Sequence, residues 1–454
     1  MELTEQVFAA IRRYEALRTT RRVFPDADAL VGLGSLGGAL PAAGVSAERV
    51  VELLEEFAAP ATVMTTGPRF FGFVTGGALP AAQAANWLGC AWDQNGALRV
   101  MSPVAAELEN IALGWIASLL EIPDVALGSF VTGATMANFT GLAAARHALL
   151  AKQGWDVEAL GLFGAPRIQV VVSDEAHVAL FKALAMLGLG RDRVVRVPTD
   201  AQGRMRVDAF PQLSEPAIVC LQAGNVNTGA LDPAEELIAL ARQSGSWVHV
   251  DGAFGLWAKA SPVYRELARG YEAADSWATD GHKWLNVPYD SGLVFVRDPA
   301  AMTGAMGLSA SYLTAGAGVE AMNRGPEASR RARGMDAWAA LRSLGVDGVA
   351  EMIDRCCRLA RRFAAGLASG GVSVLNEVCL NQAMVALGDD GQTLRWIEEV
   401  QREGVCWCGG TVWHGRRAMR ISVSSWATSE ADVDLSIESM LRCAALVRTG
   451  ADNE

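Results

Sequence analysis

The sequence predicts an α/β fold: a largely parallel sheet with helices on both faces, followed by a smaller C-terminal α+β domain. Three observations lead there. From about Met101, stretches of helical periodicity alternate with short apolar runs. Those runs are entered or left through Gly, Asp or Pro, as strand ends usually are. The tail then changes to strand, helix, strand and a closing helix. Alternation of the first kind implies crossover connections, hence parallel strands buried on both faces.

Taken in order, the first sixty residues are helical, with apolar positions three and four apart in "SAERVVELLEEFAAPA". A glycine- and aromatic-rich stretch, "GPRFFGFVTGGALPAA", follows. "VAAELENIALGWIASLL" and "HVALFKALAMLGLG" read as helices; "IQVVVSD", "RVVRVP", "AIVCLQAG", "WVHVDGAFG" and "GLVFVRD" read as strands. "LTAGAGVEAMNRGPEAS" is expected to be a mobile loop before a long helix around Trp338 to Leu344. In the tail, "VSVLNEVCLNQAMVALG" and "AMRISVSSW" read as strands on either side of a helix, "TLRWIEEVQREG". The expected divisions are a helical segment over 1–67, a large domain over 68–340 and a small domain over 341–454.

Composition narrows the function classes. With 454 residues and 51% hydrophobic content the chain is enzyme-sized and too apolar for disorder. A formal net charge of −11 opposes a nucleic-acid footprint, and "RRARG" (330–334) is one short basic cluster that reads as a solvated face. No charge-free run long enough to span a bilayer and no signal pattern is found, so the expected location is cytoplasmic. The eight cysteines lack zinc-ligand spacing and are expected to be reduced core thiols; no metal is expected.

In an open parallel sheet, ligands gather beyond the carboxyl ends of strands. His177 follows "VVVSDEA", Asp251 ends "WVHV", Lys283 follows "DSWATDGH", and "FVTGATMAN" opens a helix. Asp251 either caps a helix at Gly252 or meets a buried cation, because an uncompensated carboxylate there is costly. Lys283 is either a surface residue or an amine desolvated among Trp277, Trp284 and Leu285, which favours its neutral, nucleophilic form. Pyridoxal phosphate (PLP) lying between them would answer both puzzles. Lys283 would bond its aldehyde, and Asp251 would pair with the pyridine nitrogen and keep it protonated. "TGATMAN" would hold the phosphate at a helix start, or would be an ordinary helix cap. His177 would stack on the ring, or be structural.

In sequence order, "FVTGATMANFTGLAAAR", "SDEAHVALFKAL", "GNVNTGALDP", "WVHVDGAFGLWA" and "DSWATDGHKWLNVPYDSGLVFV" resemble the group II PLP-dependent decarboxylases, relatives of aromatic-L-amino-acid, histidine, glutamate and 2,4-diaminobutyrate decarboxylases. The similarity runs from about Pro68 to Trp426. It implies the fold-type I PLP-dependent transferase fold and a homodimer with shared active sites, in which the N-terminal segment wraps the partner. It further implies Lys283 as the lysine bonded to cofactor, Asp251 as the partner of the ring nitrogen and His177 as the stacking base. Thr132, Gly133, Ala134 and Thr135 would form the phosphate turn, with Asp280 where the family often has Asn. Asn227 or Thr228 would lie near the ring oxygen, and His282 beside the lysine, where it meets the substrate carboxylate. Arg333 matches the arginine after the loop; Phe73, Val74 and Thr75 match the substrate-pocket segment.

The implied reaction converts an L-amino acid to an amine and carbon dioxide. "FFGFV" and "CAWDQN" suggest an apolar or aromatic substrate, with Trp92 and Trp413 either stacking on its ring or packing in the core. The absence of a basic pair for a distal carboxylate leans against glutamate. One departure is chemical. In the aromatic and related decarboxylases a loop tyrosine returns the proton to Cα, whereas here the match places Ala321 or a near neighbour there, and Tyr312 matches a different position. This keeps open aldol-type cleavage or transfer at a β-hydroxy amino acid, and decarboxylation coupled to oxidative deamination. A non-catalytic scaffold is the alternative of a different class.

Overall fold

A computed structural model describes residues 2–308 and 319–450. Cα packing divides the chain into two compact units. One comprises residues 76–360 and 376–382; the other comprises 1–75, 361–375 and 383–454.

The first unit carries seven strands: β1 (Leu127–Val131), β2 (Gln169–Ser173), β3 (Val195–Val197), β4 (Ala217–Gln222), β5 (Trp247–Asp251), β6 (Ser276–Asp280) and β7 (Gly292–Val296). Their spatial order is β1-β7-β6-β5-β4-β2-β3. β2 through β6 pair in parallel, while β7 runs antiparallel to both β6 and β1. Every residue of β4, β5, β6 and β7 is buried, which is why β4 and β7 read as continuous apolar runs and not as alternating ones.

Register fixes what meets at the functional end of the sheet. Gln222 pairs with Asp251, Asp251 with Ala278, and Gly292 with both Asp280 and Val131. The helix Ala134–Ala151 starts just after β1 and packs on β5, β6 and β7. Its alanines favour helix and give the smooth face that sinks into the core around Leu142, Val172, Ile218 and Val294.

The second unit holds a four-stranded sheet in the order β10-β11-β9-β8, from β8 (Ser373–Val374), β9 (Gln382–Ala386), β10 (Gly409–Trp413) and β11 (Arg416–Ser422). The N-terminal residues are stitched into this same unit. Val23 N donates to Gly404 O at 3.0 Å and Phe71 N to Trp407 O at 2.8 Å. Arg69 Nε donates to Val405 O at 2.8 Å, and its Nη1 lies 3.3 Å from Asp432 Oδ1. The expected boundary at 340/341 falls inside a helix, the first of two that run over Gly334–Ser369 and meet at a kink at Gly345.

The expected strands and helices of the large domain are present. The structure adds β1, "LGSFV", and β10, "GGTVW", whose glycines hid them, and β6, "SWATD", whose Ser, Thr and Asp hid it; it splits the first tail strand into β8 and β9. Six cysteines are buried, but Cys90 is exposed and Cys379 partly so. Trp413 is buried, whereas Trp92 stands half-exposed at the end of its helix. Among the described residues no helix is long and apolar enough to cross a membrane.

Candidate active site

A cavity of about 300 Å³ opens at the carboxyl end of the seven-stranded sheet, lined by the last residues of β4, β5 and β6 and by the segments that follow β1, β2, β4, β5 and β6. Thr132, Gly133, Ala134, Thr135, His177, Asp251, Asp280, His282 and Lys283, all marked out by the sequence, line it together.

Lys283 follows the end of β6 in a turn, and its Nζ lies 3.0 Å from Asp280 Oδ2. Its company is therefore not purely apolar as expected: the partly buried amine meets a carboxylate that is itself 2% exposed. Asp280 Oδ1 accepts the Ala134 amide at 2.6 Å. That amide belongs to the first turn of Ala134–Ala151, whose N-cap residue, Gly133, has no side chain to accept it, so the positive end of the helix faces this acid and the cavity.

His282 is held in one tautomer. Ser291 N donates to its Nδ1 at 3.0 Å, so a neutral ring carries its proton on Nε2, which lies 3.6 Å from Asp280 Oδ1. Burial pushes its pKa below the ordinary imidazole value despite the nearby Asp280. Tyr289 stacks on it with ring centroids 4.3 Å apart. His177 caps the helix Val178–Met186, with Nδ1 accepting the Ala179 amide at 3.3 Å, and its edge reaches the cavity.

Asp251 Oδ2 accepts Asn138 Nδ2 at 3.0 Å, and Ala253 N approaches Oδ1 at 3.3 Å. It is not a helix cap; it is a buried acid in the cavity wall. At the far rim Gly292 lies against Gly133. A Cβ at Gly292 would come within 2.4 Å of Gly133 Cα, so only glycine lets β7 approach the turn.

Other expected residues are placed elsewhere. Thr228 is fully buried; its hydroxyl donates to Gln202 O at 2.7 Å and accepts Ala230 N at 3.1 Å. Asn227 N donates to Asn225 Oδ1 at 2.9 Å, closing the same turn. Neither lines the cavity; Gln222, Gly224 and Val226 from that segment do, along with Ala179, Ala253 and Phe254. Gln222 was findable as the end of an apolar strand, the rule that singled out Asp251. Arg333 is 5% exposed and bound to Asp290, Nε to Oδ1 at 2.8 Å. Trp92 and Arg333 are not among the lining residues. Phe73, Val74 and Thr75 belong to the second unit, where Phe73 and Val74 have φ of 54° and 58° and Phe73 stacks on Trp407 at 5.5 Å. Ala321 is buried in a short helix, Ala321–Asn323; Tyr312 and the start of the expected loop lie outside the described residues.

The donor set fits PLP. One cavity offers an amine for the aldehyde, a buried carboxylate for the ring nitrogen, an uncapped helix start for the phosphate and an imidazole for the ring face. Comparison with known proteins agrees. The family described as "Pyridoxal-dependent decarboxylase conserved domain" matches residues 37–387. An aromatic-L-amino-acid decarboxylase of Bacillus atrophaeus is 31% identical over 66% of this chain and 63% of its own length. A tryptophan decarboxylase 1 of Oryza sativa subsp. japonica is 28% identical over 81% of this chain and 78% of its own. In fold, a crystal structure of Oryza sativa TDC with PLP and tryptamine superposes with a TM-score of 0.89 at 23% identity, covering 98% of this chain and 97% of the other.

Proposed function

This chain belongs to the pyridoxal-dependent decarboxylase family, and from that premise we propose that it converts an L-amino acid, aromatic or apolar, to its amine and carbon dioxide. The observation that carries the reading is the convergence of Lys283, Asp251 and the uncapped start of Ala134–Ala151 on one cavity.

PLP, when bound, supplies the electron sink that accepts the pair left on Cα as the carboxylate departs. The chain's part is orientation. The first turn of Ala134–Ala151, with Ala134 and Thr135, anchors the phosphate end, and Asp251 fixes the opposite end at the ring nitrogen. His177 covers the ring face. Lys283 would hold the cofactor at its aldehyde, and Asp280, 3.0 Å from the Lys283 Nζ, is placed to bind that amine when no cofactor is attached. Neutral His282, its Nε2 proton near Asp280, offers the departing carboxylate no full positive charge to hold it back. Holding the substrate in one orientation toward the bound cofactor would be the entropic part of the chain's contribution.

An aromatic or apolar substrate is supported by the names of the two relatives. A homodimer is supported by the exposed Leu88, Trp92, Val100 and Met101, since water-facing apolar groups of this size mark association surfaces. A cytoplasmic location rests on the sequence alone. The second reading, loss of some product to oxygen as an aldehyde, is favoured by Ala321, a residue without an acidic proton in the stretch where a loop tyrosine was sought.

The deciding experiment incubates the purified protein with PLP and a panel of amino acids, following carbon dioxide, amine and hydrogen peroxide together. Amine and carbon dioxide from tryptophan, tyrosine or phenylalanine are expected. Aldehyde and glycine from threonine-like substrates, without carbon dioxide, would overturn the reading.

A further inference from the structure

Behind Asp251 stands a file of buried polar groups. Asn138 Nδ2 donates to Asp251 Oδ2 at 3.0 Å, and His249 Nε2 lies 2.8 Å from Asn138 Oδ1. His249 Nδ1 lies 2.8 Å from Ser276 Oγ, which also accepts Trp247 Nε1 at 2.9 Å. Asn138, His249 and Ser276 are each 0% exposed, and none lines the cavity. Gly141 on the helix Ala134–Ala151 makes the room: a Cβ there would come within 2.8 Å of His249 Cε1.

The protons in this file run in one direction only. A carboxylate in this state accepts, so the amide of Asn138 faces it with NH₂ and turns its carbonyl to His249. A carbonyl also only accepts, so the imidazole proton is on Nε2. Burial pushes His249 down to about 3, leaving the ring neutral and Nδ1 bare. Ser276 must then donate its hydroxyl proton to Nδ1, consistent with its oxygen accepting from the indole of Trp247, which only donates. Reversing any one link would set two acceptors or two donors face to face without water, an arrangement that costs the full desolvation of each group. Trp247, Ser276, His249 and Asn138 therefore form a chain of donors that ends on one oxygen of Asp251.

We infer that Asn138, His249 and Ser276 are positioning residues for the cofactor ring, a one-way donor chain that pins Asp251 Oδ2 and turns the carboxylate's charge toward the ring nitrogen. The inference rests on the reading that the cavity holds PLP, and deepens it. A carboxylate held by its backbone alone can rotate about its side-chain torsions; one whose second oxygen is fixed by a rigid file of groups cannot. The chain acts on the ring solely through Asp251, so its effect must depend on the ring nitrogen.

That dependence gives the test. Apoprotein is titrated with PLP and with the carbocyclic analogue in which C–H replaces the ring nitrogen, and Kd is read by absorbance, with carbon dioxide release followed separately. Asn138→Leu and His249→Phe are expected to weaken PLP about tenfold, the worth of a hydrogen bond to a charged group, and to leave the analogue's Kd unchanged. His249→Gln, whose amide can still donate to Asn138, is expected to restore PLP affinity to within about threefold. Equal weakening of PLP and analogue, or no change in either, overturns the inference. Ser276→Ala removes only an upstream donor and keeps the test open if the larger substitutions do not fold; it is expected to weaken PLP alone, by less. Should nitrogen-dependent binding appear in a protein that releases no carbon dioxide from any amino acid, the proposed reaction fails and the donor chain stands.

Discussion

Asp280 binds Lys283 through one carboxylate oxygen and the Ala134 amide through the other, at 3.0 and 2.6 Å. One side chain thus ties the reactive amine to the start of the phosphate-facing helix. Asp280→Ala leaves that buried amide and the ammonium without their acceptor, a loss of about 1–3 kcal/mol for each uncompensated group. We expect a lowered urea midpoint and weaker PLP binding, with Asp280→Asn recovering most of the stability because its carbonyl can still accept the Ala134 amide.

Lys283→Ala is expected to leave a folded protein that binds PLP without a covalent link. Borohydride treatment followed by mass spectrometry checks this: the wild type gains the mass of reduced cofactor, and the variant does not. Decarboxylation falls below detection in the variant.

Asp251→Ala is expected to retain part of the cofactor while turnover drops by about a hundredfold or more, since the charge paired with the ring nitrogen is gone. Full turnover in a variant saturated with PLP would show that the ring needs no anionic partner here.

His249 sets an acid limit on stability. Its pKa falls from an ordinary 6.5 to about 3 on burial. Below pH 6.5 the unfolded chain therefore binds a proton that the folded chain refuses. The stabilisation is complete above that pH and is lost as pH falls toward 3; at pH 4 the loss is on the order of 3 kcal/mol. Urea unfolding from pH 7 to 4 should show a shallower decline for His249→Gln, which has nothing to titrate; parallel curves would contradict the assignment.

If Ala321 or a near neighbour stands where related decarboxylases carry a proton-donating tyrosine, oxygen consumption is expected alongside decarboxylation. An oxygen electrode and a peroxide assay, run with the amine measured, check this; strict one-to-one amine formation would show that another group supplies the proton.

Lys283 and Asp251 were legible because a charge at the end of an apolar strand needs a buried answer, and two such charges suited one ligand. The same rule reached His177 and the helix start after Thr132, and it should have reached Gln222. Asn138 and His249 were not legible. Asn138 sits inside an alanine-rich helix, and His249 between Val248 and Val250 in mid-strand, where a polar residue has no visible partner until the sheet and helix are packed together. Thr228 and Arg333 show the converse: residue type and motif position marked them out, yet neither lines the cavity; the Thr228 hydroxyl is bound to Gln202 and Ala230, and Arg333 pairs with Asp290 through Nε and Nη2. The N-terminal residues read as a separate segment because no local pattern announces hydrogen bonds between Val23 and Gly404 or between Phe71 and Trp407.

The reversed direction of β7 also bears on how this protein can change over generations. Because β7 returns beside β6, residues 281–291 form a loop closed at its mouth by Gly281 N and His282 N, which donate to Ser291 O at 2.9 and 3.2 Å. That loop carries Lys283, His282 and the histidine's backbone donor, and it ends against Gly292, beneath the turn at Gly133. Adding or deleting one residue would have to slip β7 against two neighbours at once, turning its side chains to the wrong faces. Sister sequences are thus expected to tolerate new letters in this loop while keeping its length, and a library of single-residue insertions there should yield no active clones where equivalent substitutions yield many.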